Sequence, residues 1–246
     1  MDAALKRTPR VYVEAPLAAG QEVPLDKAQG HYLGNVMRLR AGDQVRLFNG
    51  HDGEWLCTIS EVSKRGGNLL AETQTRQQSS VPDIHLLFAP LKHARLDYMV
   101  QKATELGAAL LQPVLTEFTN VTRIKQERMQ ANAVEAAEQC NLLAVPQTLP
   151  PERLTKVLEG WDPNRRLIFC DEAAEVASPL SVLQDLPDGP TALLIGPEGG
   201  FSPAERDLLL SQPYVTAISL GPRVMRADTA ATAALALLQA VHGDWH

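Results

Sequence analysis

Two stretches of this sequence share a construction suited to holding a small molecule. LLIGPEGGFSPAE (193–205) and ISLGPRVMRADTA (218–230) each read as a buried strand, a Gly-Pro turn and a helix. In open α/β sheets ligands sit at the carboxyl ends of strands. Glycines there let the backbone approach a ligand and expose its N–H groups. One such turn alone is readily a plain strand-to-helix connection. Two matched turns favour the walls of a single pocket.

The chemistry narrows by exclusion. GxGxxG is absent, and the position twenty residues after Gly196 is Thr216 rather than an acid for a ribose hydroxyl. GxxxxGK[ST] and GxSxG are absent too, which argues against a triphosphatase and a nucleophile elbow. Cys57, Cys140 and Cys170 are far apart and form no CxxC. Each is expected as a structural thiol, in a reducing compartment. His31, His51, His85, His93, His242 and His246 form no HExxH or HxH pair, so no metal site is expected.

The elements that position these turns alternate. Strands are expected at 84–89, 109–115, 167–170, 191–195 and 215–220. Helices are expected at 94–106, stopped by Gly107, at 125–140 and at 229–241. Ser202-Pro203-Ala204-Glu205 has the form of a capping box with Pro at the first helical position. Strands alternating with helices predict a mostly parallel α/β sheet covered on both faces. Ahead of it, short strands at 10–13, 44–49 and 54–62 and one helix near 31–37 predict a small β-barrel. The polar run QTRQQSSVPD (74–83) reads as the linker. The expected domains are 1–76 and 77–246.

Length and composition agree. The 246 residues are 45% apolar, enough for a sizeable core. The net charge of −6 excludes a polycation but leaves room for a local nucleic-acid site. Residues 1–78 carry ten Lys/Arg against nine Asp/Glu, and the remainder thirteen against twenty. The barrel is thus the less acidic part, with Lys6, Arg7, Arg10, Arg38 and Arg40 close in sequence. The opening MDAALKRTPRVYVE lacks an apolar core, and the longest greasy stretch, 230–238, is too short to span a bilayer. A cytoplasmic protein without a membrane partner is expected.

The residues resemble a known family. Residues 194–202 with Glu205, and 220–230, look like the two signature segments of RsmE-type ribosomal RNA methyltransferases. KATELG (102–107) and EAAEQC (135–140) match two more, and RVYV (10–13) and HYLGNVMR (31–38) are similar to the family's N-terminal domain. The resemblance implies a C-terminal SPOUT-class domain with a trefoil-knotted chain end, a PUA-like RNA-binding barrel, and a homodimer. It implies methyl transfer from S-adenosylmethionine, leaving S-adenosylhomocysteine, to N3 of one uridine of 16S ribosomal RNA in the assembled small subunit. Leu194, Gly196, Pro197, Glu198, Gly199, Leu220, Gly221, Val224, Met225 and Thr229 are then expected around the cofactor, with Phe169 and Cys170 as a third wall. Gly199 is expected to have no room for a side chain. Arg226 is the candidate to stabilise a deprotonated N3, with Asp228 orienting it or taking the proton. Arg10, Arg38 and Arg40 are the expected RNA contacts.

The chain departs from the family pattern in three places. Phe118-Thr119-Asn120 and Cys140-Asn141-Leu142 stand where the family carries arginines, and Asp228 where it carries Glu. The lost arginines raise a second reading, a ribosome-binding protein that kept the fold without the activity. Cofactor binding without transfer would mark it. A third, a nicotinamide-dependent enzyme, would bind NAD and not S-adenosylhomocysteine.

Overall fold

The computed structural model describes residues 7–121, 123–174 and 178–245. Lys6, one of the basic residues named above, lies outside them. The chain divides into two compact units. One runs to Ser80 and takes in Ala137–Val145; the other holds Val81–Ala136 and Pro146–His246.

The first unit is built on a five-stranded sheet. Its strands are β1 (Arg10–Tyr12), β2 (Glu22–Leu25), β3 (Gln44–Phe48), β4 (Glu54–Ser63) and β5 (Gly66–Arg76), in the order β1-β3-β4-β5-β2. β1 runs parallel to β3 and the other pairs are antiparallel. Three register shifts bend the β4–β5 ribbon around a core that includes Val23, Val45, Leu47, Ile59 and Leu69. Strands β2 and β5 are additions to the sequence expectation, and the end of β5 occupies part of the run read as linker. The helix expected near 31–37 begins earlier, as α1 (Lys27–His31), with an Asp26–Gln29 capping box. It continues into a π turn at Tyr32–Val36.

Arg10 holds a buried position in this unit rather than an RNA-facing one. It is 8% exposed. Its Nε donates to the fully buried Glu54 at 2.7 Å, and its guanidinium lies 3.6 Å over the Phe48 ring. Its Nη1 donates to the Ala137 carbonyl at 2.7 Å, and its Nη2 to that of Leu142. Arg10 therefore ties down the carboxyl end of the helix Gln126–Gln139, sharing the Ala137 carbonyl with Leu142 N–H, and the residue Leu142 that follows it. Tyr12 N–H donates to Glu138 Oε1 at 2.8 Å, and Arg76 Nη1 to the Asn141 carbonyl at 2.8 Å. These bonds, with Leu143 packed on Phe48, are why 137–145 belongs to the first unit. The expected contiguous domain of residues 1–76 is thus extended by a segment far away in sequence.

The second unit is a parallel α/β structure, as expected. Its strands are β6 (Ile84–Phe88), β7 (Leu110–Leu115), β8 (Gln147–Thr148), β9 (Glu152–Arg153), β10 (Arg166–Cys170), β11 (Thr191–Ile195) and β12 (Val215–Ile218). The order is β12-β10-β11-β6-β7-β8, with β9 also on β7, and every pair is parallel. All five residues of β11 are buried, as a strand covered on both faces requires. The helices are α2 (His93–Glu105), α3 (Gln126–Gln139), α4 (Leu154–Glu159), α5 (Pro179–Gln184), α6 (Pro203–Leu210) and α7 (Ala227–His242). Helix α2 packs on α7. Met99, Val100 and Ala103 of α2 are buried, as are Ala230, Ala234, Leu235 and Leu238 of α7. The turn after α2 needs Gly107, whose φ is +73°; a Cβ there would stand 2.7 Å from Gln239 Nε2.

Candidate active site

β12, β10 and β11 are neighbours in the sheet, and three loops leave their carboxyl ends side by side. Together these loops wall one cavity. After β10 come Asp171, Glu172 and Ala173. After β11 come Gly196, Pro197, Glu198, Gly200 and Phe201. After β12 come Ser219, Leu220, Gly221, Arg223, Val224 and Met225. Cys170, Ile195, Ala227, Ala230 and Arg206 complete the lining. The chain turns from β11 to β12 across β10, the kind of switch in strand order at which open sheets leave a crevice.

Local chemistry fixes the β11 loop. Ser202 and Glu205 form the expected capping box at the start of α6. Gly200 takes φ +72°, a conformation that favours glycine. Gly196 is required for a different reason: a Cβ there would lie 2.4 Å from the Phe201 ring. The absence of a side chain lets Phe201 fold back over the strand end. Behind it Phe169 meets Phe201 edge-on, with centroids 5.0 Å apart.

The expected site residues divide accordingly. Cys170, Gly196, Pro197, Glu198, Leu220, Gly221, Val224 and Met225 line the cavity. Phe169 and Leu194 are fully buried in the core and stand one layer behind it. Gly199 faces elsewhere: a Cβ on it would meet Phe118 Cβ at 3.3 Å, in the loop after β7. Arg226 and Thr229 are exposed at the start of α7 and are not among the lining residues. Val224 is 89% exposed. Burial pushes the Cys170 thiol up to about 12, so it is neutral near pH 7 and a poor nucleophile.

The charged groups around the cavity are arranged by partners that the sequence patterns did not reveal. Asp171 accepts from Arg206 Nε at 2.8 Å and from Ala173 N–H at 3.0 Å. Asp228 is bound by Arg95, from Nη2 at 2.8 Å and Nε at 3.2 Å. Arg95 also pairs with Glu198. Asp228 therefore has Arg95 as its partner, rather than orienting Arg226. These hydrogen bonds hold its carboxyl below the usual range and raise Arg95. No hydrogen bond or ion pair to the Arg226 guanidinium is found among the described residues. One signal for Arg95 was present in the sequence: an arginine in the first turn of a helix opposes the helix dipole, which favours acids there.

In the first unit, Arg38 and Arg40 are exposed, and Arg38 takes φ +59°. Tyr32, Val36 and Met37 are exposed in the same stretch. Among the described residues no group of His, Cys, Asp and Glu is placed to hold a metal ion, and no helix is long and apolar enough to cross a membrane.

Residues 77–239 match a family model described as an RNA methyltransferase domain, and residues 25–69 match one described as an RNA methyltransferase PUA domain. The chain is 30% identical over 230 residues to ribosomal RNA small subunit methyltransferase E of Rickettsia conorii, covering 92% of this chain and 93% of the relative. Among solved structures it is similar to the enzyme of that name from Neisseria gonorrhoeae bound to S-adenosyl methionine. The two share 27% identity and a TM-score of 0.85, covering 98% of this chain and 100% of that one. A putative methyltransferase of Legionella pneumophila in complex with the same cofactor is 33% identical at a TM-score of 0.85, covering 97% and 99%.

Proposed function

This chain belongs to the ribosomal RNA small subunit methyltransferase E family, and from that premise we infer that it is an S-adenosylmethionine-dependent methyltransferase of 16S ribosomal RNA. We propose N3 of one uridine, in the assembled small subunit, as the acceptor. The observation that carries the reading is the single cavity walled by the loops after β10, β11 and β12, the GPEGGF and LGPRVM segments among them. The trefoil-knotted chain end, the homodimer and the cytoplasmic location implied by the family resemblance belong to the same proposal.

The residues fit the cofactor. Ile195, Leu220, Met225, Ala227 and Ala230 offer apolar surface for an adenosine, and the loop backbones offer N–H and C=O groups for its polar edge. Glu172 places negative charge at the wall, where an ammonium or a sulfonium is attracted. Gly196 leaves the space that the Phe201 ring fills beside the cavity. When bound, S-adenosylmethionine supplies a methyl group on a sulfonium, already a good electrophile.

The chain's own task is to hold the acceptor nitrogen in line with that methyl and to favour its deprotonated form. Positioning of this kind contributes several kcal/mol, and up to about 7–11 in well-oriented systems. Uracil N3 loses its proton as the N–C bond forms and the S–C bond breaks. Arg226, a cation beside the cavity loops without a carboxylate partner among the described residues, is assigned to the negative charge that develops on the base. Asp228, held ionised by Arg95, is a weak proton acceptor, so the proton is assigned to solvent. On the first unit, Arg38 and Arg40 are assigned to RNA phosphates and Tyr32 to stacking. Titration calorimetry with S-adenosylhomocysteine tests the cavity. One site per chain is expected, and absence of binding would count against the reading.

A further inference from the structure

Arg95 lies outside every segment that carries the family resemblance, yet it holds two acidic groups beside the cavity. It sits in the first turn of α2, where the helix dipole disfavours a cation. What holds it there is a pair of carboxylates: Asp228, in the first turn of α7, and Glu198, in the β11 loop. Two N–H groups of Arg95 reach the two oxygens of Asp228, at 2.8 and 3.2 Å, the forked geometry that makes such pairs specific. The Asp228 side chain is 14% exposed, so this pair is screened less than a surface one.

Asp228 stands two residues beyond Arg226, which occupies the N-cap position of α7 and makes no side-chain cap. Without Arg95, Arg226 is the cation nearest to Asp228 along the chain. A carboxylate paired with Arg226 would cancel the charge that the reaction needs. We propose that Arg95 is a positioning residue that sequesters Asp228, and with it Glu198, so that Arg226 stays unpaired for the RNA base. The inference rests on the methyltransferase reading and adds a residue that acts through Arg226.

The test is a rescue. Arg95→Met should lower kcat for methyl transfer to small subunits about 30-fold, below the ~10²–10³-fold of removing a stabilising donor outright. S-adenosylhomocysteine affinity should stay within threefold, because no cavity wall is removed. Adding Asp228→Asn should recover at least tenfold, since a neutral amide no longer competes for Arg226. For a merely structural latch the contact is already lost in Arg95→Met, so the second substitution should leave kcat where the first put it. A double variant no faster than Arg95→Met overturns the proposal, as does an Arg95→Met enzyme with unchanged kcat. Small-subunit binding by the same variants provides a second readout and should fall and recover in the same order. Wild-type protein that binds but does not methylate overturns the methyltransferase reading alone, and the binding series then decides the role of Arg95. Wild-type protein that does neither overturns both.

Discussion

Gly196→Ala tests the geometry of the cavity at one atom. A Cβ on residue 196 would stand 2.4 Å from Phe201 Cε2, and 3.0 and 3.1 Å from two further ring carbons. The first separation is impossible and the other two are tight, so the ring must move by about an ångström to reach ordinary contact. Its retreat is limited by Phe169, already edge-on at 5.0 Å, and the open direction is the cavity itself. Overpacking of this kind costs about 1–3 kcal/mol. Two kcal/mol corresponds to a fall in Tm of about 4–8 °C at this size. The displaced ring also occupies ligand space, and S-adenosylhomocysteine affinity should fall at least about tenfold, or 1.4 kcal/mol. Thermal unfolding and titration calorimetry read the two effects. Gly199→Ala is the control, since its Cβ would meet Phe118 and not the cavity; its affinity should stay within threefold. A Gly196→Ala protein with unchanged Tm and unchanged affinity would refute the argument. So would a Gly199→Ala protein that loses the ligand.

Four further outcomes are expected. Arg226→Ala should leave cofactor affinity within threefold and lower the transfer rate by about 10²-fold or more, read as kcat in a transfer assay; a rate within threefold of wild type removes it from the mechanism. Arg10→Ala should unfold the first unit more readily, by about 3 kcal/mol in denaturant titration, because Glu54 stays buried after losing its shortest ion pair. Arg38→Ala with Arg40→Ala should weaken small-subunit binding and flatten its salt dependence by about one to two in slope, measured between low and moderate salt. The Asp228–Arg95 pair should stabilise the second unit fully above the ordinary aspartate range and lose that effect as pH falls through the lower folded-state value. Acid unfolding of wild type and Arg95→Met should therefore differ near neutrality and converge at low pH.

Much of the site was legible because it is local. Each glycine loop follows a strand, fully buried in β11 and half-buried in most of β12, and precedes a helix within a dozen residues, and the Ser202–Glu205 box marks one helix start directly. The parallel sheet followed from the alternation of elements. What escaped depends on partners far apart in the chain. β5 opens on Gly66-Gly67 and ends in polar residues, so only its pairing with β4 and β2 makes it a strand. Segment 137–145 joins the first unit through bonds to Arg10 and Tyr12 more than 120 residues away. The same bonds explain Arg10, whose type suggested RNA and whose partner Glu54 buries it. Phe169 was expected at the cavity because it ends the right strand, but alternation turns its ring inward behind Phe201. Arg95 shows the limit most sharply. Its position against the helix dipole was visible, while the carboxylates that hold it lie 103 and 133 residues away.

The proposed reaction takes place at one nitrogen of one base, and product analysis reads that nitrogen directly. Small subunits purified from cells lacking the enzyme would be incubated with this protein and radiolabelled S-adenosylmethionine, and the RNA digested for mass spectrometry. Label is expected in 16S RNA as 3-methyluridine at a single position. Label on another base, or none from a protein that still binds S-adenosylhomocysteine, would contradict it.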